Sequence, residues 1–125
     1  MSDFPGERRR YLRVRLDLPV EVHQGGSLWR QRLIDIAVGG LATDQPDLWD
    51  AQYNEPFMLV IDTGRHGTLE LHAWLQHVEA GRLGFSMSPD VQDRGILRAL
   101  LGEHIADPAE LEAQFTALAQ AQSGD

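Results

Sequence analysis

The chain has 125 residues, no cysteine and a formal net charge of −8. This length fits one domain with a modest core, and the lack of cysteine excludes disulfides and thiolate metal sites. The first residues lack the apolar run of a signal peptide, and no apolar stretch approaches the roughly 18 residues of a membrane span. These features predict a single cytoplasmic domain, which we expect to be monomeric.

Positive charge is concentrated at the N-terminus. Five of the eleven basic residues, all arginines, lie within the first fifteen positions, where only Asp3 and Glu7 oppose them. That segment carries a formal charge of +3, and the remaining 110 residues carry −11. An acidic body argues against binding to a nucleic-acid polymer, which requires a broad basic face. A short cluster of arginine forks suits a small anion or a guanine edge instead.

Alternating apolar residues predict about six β-strands. The first predicted strand runs from Val14 to Val22, with Pro19 indicating a sheet edge or a bulge. The other predicted strands are Leu28 to Ile36, Leu41 to Thr43, Pro56 to Thr63, Thr68 to Val78 and Arg82 to Met87. Strands at such close spacing favour a small barrel or a sandwich.

The C-terminal part has helical periodicity. Asp107-Pro108-Ala109-Glu110 combines an N-cap with a first-position proline, and apolar residues at helical spacing follow Pro89. We expect one broken helix or two short ones, packed on the barrel. The predicted division of this single domain is a flexible basic arm (1–13), a β-barrel (14–88), a helical region (89–121) and a frayed tail (122–125).

No pattern typical of an enzyme or a metal site occurs in the sequence. The five histidines show no i, i+4 pairing with a glutamate. The serines lack a nucleophile-elbow context, and there is no P-loop or dinucleotide fingerprint. We therefore expect no metal, no cofactor and no catalytic residue, and a binding protein is favoured over an enzyme.

A carboxylate and two glycines form a second element, the segment from Asp35 to Gly40. Arginine donates to the O6/N7 edge of guanine or to phosphate, and a carboxylate accepts from the N1 and N2 hydrogens on the opposite edge. The glycines permit a positive φ or a close approach of a ligand to the backbone. The arginine cluster alone fits a solvated arm, a partner-docking arm or a ligand clamp; together with this element it favours a clamp for guanine bases and phosphates.

Two motifs give the chain a resemblance to a known family. The segment from Arg9 to Arg13 matches an RxxxR motif, and Asp35 to Gly40 lies at the expected distance for a [D/N]xSxxG motif. With the strand order and a Gly-Arg-Leu-Gly-Phe sequence at 81–85, the chain resembles PilZ domains, which are bacterial receptors for cyclic di-GMP, over nearly its whole length. The resemblance implies a six-stranded antiparallel β-barrel of PilZ type with a C-terminal helix or two short helices.

The resemblance also implies roles for individual residues. Arg9 and Arg13 would grip guanine edges and phosphates, Asp35 would pair with a guanine, and Gly40 would keep the turn open. Arg8, directly before the motif, implies two stacked, intercalated ligand molecules per chain. The full set of candidate ligand-binding residues is Arg8, Arg9, Arg10, Arg13, Asp35, Ala37, Gly39, Gly40 and His77, with Arg10 auxiliary and His77 facing the site late in the fifth strand.

Ala37 departs from the family motif, which has Ser at this position. A lost hydroxyl contact costs roughly 0.5 to 1.5 kcal/mol, which corresponds to about a tenfold weakening in the ordinary case. Ala37 therefore favours one alternative, a PilZ-fold adaptor that does not bind the nucleotide and acts by protein contact in motility or pilus assembly. A barrel that binds single-stranded RNA is a further alternative, but it would need a basic groove with exposed aromatics.

The resemblance implies a mechanism in which the ligand orders the arm. Three adjacent arginines repel one another, so the arm is expected to be disordered until ligand phosphates neutralise it and it folds over the barrel mouth. The bound complex would then show a new surface to a downstream effector protein. Among the aromatic residues, Trp29, Trp49 and Trp74 are predicted to be core or helix-packing residues, and Tyr11 either anchors the arm to the barrel or touches the ligand.

Overall fold

The computed structural model describes residues 11–123, which contain seven β-strands followed by two α-helices. The strands are β1 (Val14–Arg15), β2 (Pro19–Gln24), β3 (Ser27–Ile36), β4 (Gly40–Asp44), β5 (Phe57–Asp62), β6 (Thr68–Glu79) and β7 (Arg82–Met87), and the helices are α1 (Val91–Gly102) and α2 (Pro108–Ser123). A 3₁₀ turn at Gly64–His66 joins β5 to β6. Most of the predicted arm and the end of the predicted tail lie outside the described residues.

Six of these strands form a closed antiparallel barrel. In ring order they are β3, β2, β5, β6, β7 and β4, and the pairing of β4 with β3 closes the ring. β1 lies outside the ring and pairs with the end of β3 through Val14–Ile36 and Arg15–Asp35. The predicted six-stranded barrel is confirmed, with β1 as an addition.

The predicted first strand is interrupted instead of running continuously over 14–22. Arg15 pairs with Asp35 and Pro19 pairs with Arg32, so three residues between these pairs lie opposite two residues of β3. This extra residue is a bulge, and it lies next to Pro19, which has no N–H for the ladder and is tolerated at the start of β2. The prediction of one strand was wrong because the apolar alternation continues across the break, with Leu16 and Leu18 still packed against the core.

The two helices cover the barrel and share its core. Leu97, Leu100 and Leu101 of α1 and Leu111, Phe115 and Leu118 of α2 belong to the same buried cluster as the inward residues of the strands. Of the two predicted possibilities, one broken helix or two short ones, the structure has two separate helices. Asp90 caps α1 by accepting a hydrogen bond from the Asp93 N–H at 2.8 Å, and Asp107 accepts from the Ala109 N–H at 3.0 Å at the start of α2. Within residues 11–123, neither helix is long and apolar enough to cross a membrane.

The tryptophans divide between core and surface. Trp29 and Trp49 pack against the core, with 4.8 Å between their ring centroids, and Trp49 stacks on Phe57. Trp74 is 49% exposed, so its prediction as a core or packing residue was wrong. The reason is strand parity, because Ala73 faces inward on β6 and the next residue must point outward.

A two-residue turn at Ala80-Gly81 joins β6 to β7. Both residues have positive φ, 51° for Ala80 and 75° for Gly81, as a type I′ hairpin turn requires. A left-handed conformation costs an alanine roughly 1 to 2 kcal/mol. The strand pairing offsets this cost, because β7 pairs along its whole length with the second half of β6. The turn determines where β7 begins, and therefore where Arg82 lies.

We predict that Ala80→Asn stabilises the protein by about 1 kcal/mol, because asparagine tolerates the left-handed region better than alanine does. Urea unfolding followed by circular dichroism measures the change. Ala80→Val is the matched control and should destabilise, since a β-branched residue disfavours positive φ. Equal stabilities of the two variants would contradict the strained-turn interpretation.

Candidate functional site

A groove of about 640 Å³ lies beside β4, β6 and β7. Its volume falls within the range of roughly 300 to 1,000 Å³ that is usual for small-molecule sites. Four of the predicted site residues line it: Arg13, Gly39, Gly40 and His77. The structure therefore brings together residues that are far apart in the sequence.

Asp35 lies behind the groove, where two arginines hold its carboxylate. Its Oδ1 accepts from Arg13 Nε at 3.0 Å and Arg13 Nη2 at 2.7 Å, and its Oδ2 accepts from Arg82 Nη2 at 2.8 Å. The Asp35 side chain is 11% exposed, whereas the Arg13 and Arg82 side chains are 42% and 48% exposed. A nearly buried carboxylate needs such partners, and in return it fixes the orientation of both guanidinium groups.

A bulge in β3 turns Asp35 away from the core. Leu33 and Ile36 both belong to the buried cluster. Strict alternation after Leu33 would instead direct residue 35 inward and residue 36 outward. The register of β3 against β4 shifts between Leu33 and Asp35, and this shift directs Ile36 inward. The carboxylate can therefore face the arginines instead of the apolar interior.

Gly40 allows two strands to approach each other closely. A Cβ at this position would lie 2.8 Å from the Phe85 carbonyl oxygen of β7, and Gly40 pairs with Ser86 at the start of β4. Neither Gly39 nor Gly40 has a positive φ, so of the two possibilities that the glycines offered, the positive φ is not used. Gly40 is required for contact between backbones, which differs from the expected role of keeping a turn open.

Tyr11 packs on Gly39 and is part of the groove wall. A Cβ on Gly39 would come within 3.1 Å of the Tyr11 ring and 3.4 Å of Leu118 on α2. The next residue, Leu12, donates its N–H to Gln114 Oε1 at 2.7 Å. Tyr11 and Leu12 thus fasten the chain to the barrel and to α2 just before Arg13. This supports the anchoring role of Tyr11, and its ring also faces the groove.

A second bulge places His77 over Gly84. The register of β6 against β7 shifts between Leu75 and His77, so that His77 pairs with Gly84. An added Cβ on Gly84 would lie 2.7 Å from His77 Nε2, which means that the imidazole ring occupies the space of the missing side chain. The ring is thereby held against β7 at the edge of the groove.

The remaining predicted residues do not line the groove among the described residues. Ala37 is 1% exposed, and its N–H donates to the Gly40 carbonyl at 2.8 Å. Arg8, Arg9 and Arg10 lie outside residues 11–123. No three His, Asp or Glu side chains within the described part of the chain are arranged to hold a metal ion.

Sequence reasoning missed Arg82 and Glu79 as groove residues. They pair with each other across the ends of β6 and β7. A signal was present, because Arg82 lies two residues before Gly84 and so shares its strand face. That glycine marks the face of β7 that a neighbouring group approaches closely.

A protein-family model described as PilZ domain matches residues 7–103. The chain belongs to the PilZ domain family. The matched region contains both sequence motifs and the whole barrel.

Solved structures of other PilZ proteins have the same fold. This PilZ domain superimposes on YcgR from Escherichia coli in complex with cyclic di-GMP with a TM-score of 0.60 and 25% identity, covering 88% of this chain and 49% of that one. The PilZ domain of CeSA from a cellulose-synthesising bacterium matches with a TM-score of 0.58 and 24% identity, covering 75% of this chain and 99% of that one. The inhibitor of motility MotI/DgrA of Bacillus subtilis matches with a TM-score of 0.61 and 20% identity, covering 78% of this chain and 54% of that one. The chain thus spans about half the length of the MotI and YcgR chains.

We predict that Gly40→Ala destabilises this PilZ domain by about 1 to 3 kcal/mol, because the new methyl group overlaps the Phe85 carbonyl. Thermal and urea unfolding measure the loss. Gly26→Ala serves as the control, since no atom lies within 4 Å of its added Cβ and its φ is not positive. A Gly40→Ala variant as stable as the control would exclude the proposed close approach.

Proposed function

We propose that this PilZ domain is a receptor for cyclic di-GMP, which binds in the groove beside Arg13 and Arg82. The observation that carries the proposal is the Arg13–Asp35 ion pair at the groove, which joins the RxxxR motif to the [D/N]xSxxG motif at 2.7 Å. The complex of YcgR with cyclic di-GMP supports this choice of ligand. In this proposal the domain acts in the cytoplasm by binding, as a signalling receptor and not as an enzyme.

Asp35 would serve the ligand in two ways. By holding Arg13 it presents the rest of that guanidinium fork to guanine edges or phosphates. Its Oδ2 accepts only one N–H from the described residues, and a carboxylate oxygen has two lone pairs. The proposed guanine contact would use this second lone pair, with a guanine N1–H as the donor.

The N-terminal arginines would supply the charge that the groove lacks. Arg8, Arg9 and Arg10 directly precede the anchored residues Tyr11 and Leu12 in the sequence. We propose that ligand phosphates neutralise these arginines and order the arm, at an entropic cost that charge-assisted hydrogen bonds offset. In this proposal the domain is a monomer when it binds the ligand, and the ordered arm would present a changed surface to a downstream effector protein.

A second candidate function is favoured by Ala37. It lacks the hydroxyl of the family motif and is buried, and MotI, an inhibitor of motility, has a similar fold. In this alternative the domain is an adaptor that acts by protein contact in motility or pilus assembly without binding the nucleotide. If a calorimetric titration with cyclic di-GMP shows no binding heat at tens of micromolar, the adaptor alternative is favoured.

We predict that Arg9→Ala and Arg13→Ala each weaken cyclic di-GMP binding by at least about tenfold, because each removes charge-assisted bonds to the ligand. Isothermal titration calorimetry measures the affinity, and circular dichroism verifies the fold. Arg32→Ala is the control, since Arg32 pairs with the exposed Asp17 outside the groove. Undiminished affinity in the two motif variants would exclude the site.

We predict a stoichiometry of two cyclic di-GMP molecules per chain for the wild type and of one for Arg8→Ala, since the second, stacked molecule depends on the arginine before the motif. The same titration reports the ratio, and analytical ultracentrifugation verifies that the protein stays monomeric. A ratio of one for the wild type, or an unchanged ratio of two for the variant, would remove this role from Arg8.

A further inference from the structure

We infer that Arg82, which belongs to neither motif, is a third ligand-binding arginine and donates to the O6/N7 edge of a guanine. The inference rests on the proposed function, and it adds one particular side chain that would make the groove specific for guanine. The position of Arg82, the charge of the groove and the flat rings that line it support the inference.

Arg82 is held in place and remains accessible. It is the first residue of β7, directly after the tight turn at Ala80-Gly81, and one N–H of its Nη2 is engaged by Asp35 Oδ2 at 2.8 Å. Its side chain is 48% exposed and lines the groove. A guanidinium has five N–H donors, so a fork fixed at one point keeps donors for bidentate contact with a planar acceptor edge.

The charge of the groove suits a base better than a phosphate. The charged side chains that line it or lie directly behind it are Arg13, Arg82, Asp35 and Glu79, whose formal charges cancel. A locally neutral site gains little from an anion, whereas the O6 and N7 atoms of guanine are uncharged acceptors that match an arginine fork.

Flat groups next to Arg82 would hold the plane of the base. The Tyr11 ring and the His77 ring both line the groove, and each is held against a glycine, Gly39 and Gly84. Aromatic faces stack on nucleobases without regard to their identity. Stacking would therefore orient the base, and Arg82 would recognise it as guanine.

The test compares cyclic di-GMP with its analogue in which each guanine N7 is replaced by CH. Both ligands are titrated calorimetrically into the full chain as wild type, Arg82→Ala, Arg82→Lys and the control Arg32→Ala. We expect Arg82→Ala to bind cyclic di-GMP about tenfold to a hundredfold more weakly than the wild type. We also expect the loss of affinity caused by the N7 replacement to be about tenfold smaller in Arg82→Ala than in the wild type.

Arg82→Lys separates recognition from charge. Lysine keeps the positive charge next to Asp35 and can donate to N7, but it has no planar fork. Its N7 effect should therefore lie between those of alanine and the wild type, while Arg32→Ala should behave like the wild type. An unchanged affinity of Arg82→Ala, or an N7 effect equal in wild type and both Arg82 variants, would overturn the guanine contact. If the wild type itself binds no cyclic di-GMP, the proposed function fails, and this result is distinct because it precedes any comparison of variants.

Discussion

A nearly buried carboxylate with two arginine partners is the constraint on which the site depends. Asp35 lies where β3 pairs with β1 on one side and with β4 on the other. Removing both partners from a charge at such a position would leave it buried and uncompensated, which is strongly destabilising. Arg13 and Arg82 must therefore converge on this point, one from the segment before β1 and the other from β7. The ion pairs connect the segment that follows the N-terminal arginines to the place where the barrel closes.

The barrel, the helices and several site residues could be predicted from the sequence because they leave periodic or local signals. Apolar alternation locates the strands, and Asp107-Pro108 marks the start of α2. The groove positions of Arg13 and Gly40 were predicted from the motifs. Resemblance to a family indicates which residues matter, but it does not give the physical reason for each residue. At Gly40 the reason is the close contact with the Phe85 carbonyl.

What could not be predicted depends on bulges and on pairing between distant strands. Single-residue shifts in β3 and β6 direct Asp35 outward and place His77 over Gly84, and an extra residue leaves no trace in an alternating pattern. Arg82 was missed as a groove residue because its orientation depends on an ion pair with Asp35, which lies 47 positions away in the sequence. Trp74 shows the same limit, since composition suggested burial and strand parity decided exposure.

Ala37 shows how the fold and the ligand chemistry are separable in this domain. Its side chain is almost fully buried while its N–H holds the Gly40 carbonyl, so the backbone geometry of the turn does not require a hydroxyl. A serine hydroxyl at such a buried position would need a hydrogen-bond partner of its own, and alanine removes that requirement. The substitution therefore costs the fold little. Under the proposed function, the recognition that a serine would contribute would pass to the groove arginines, whose orientation Asp35 already fixes.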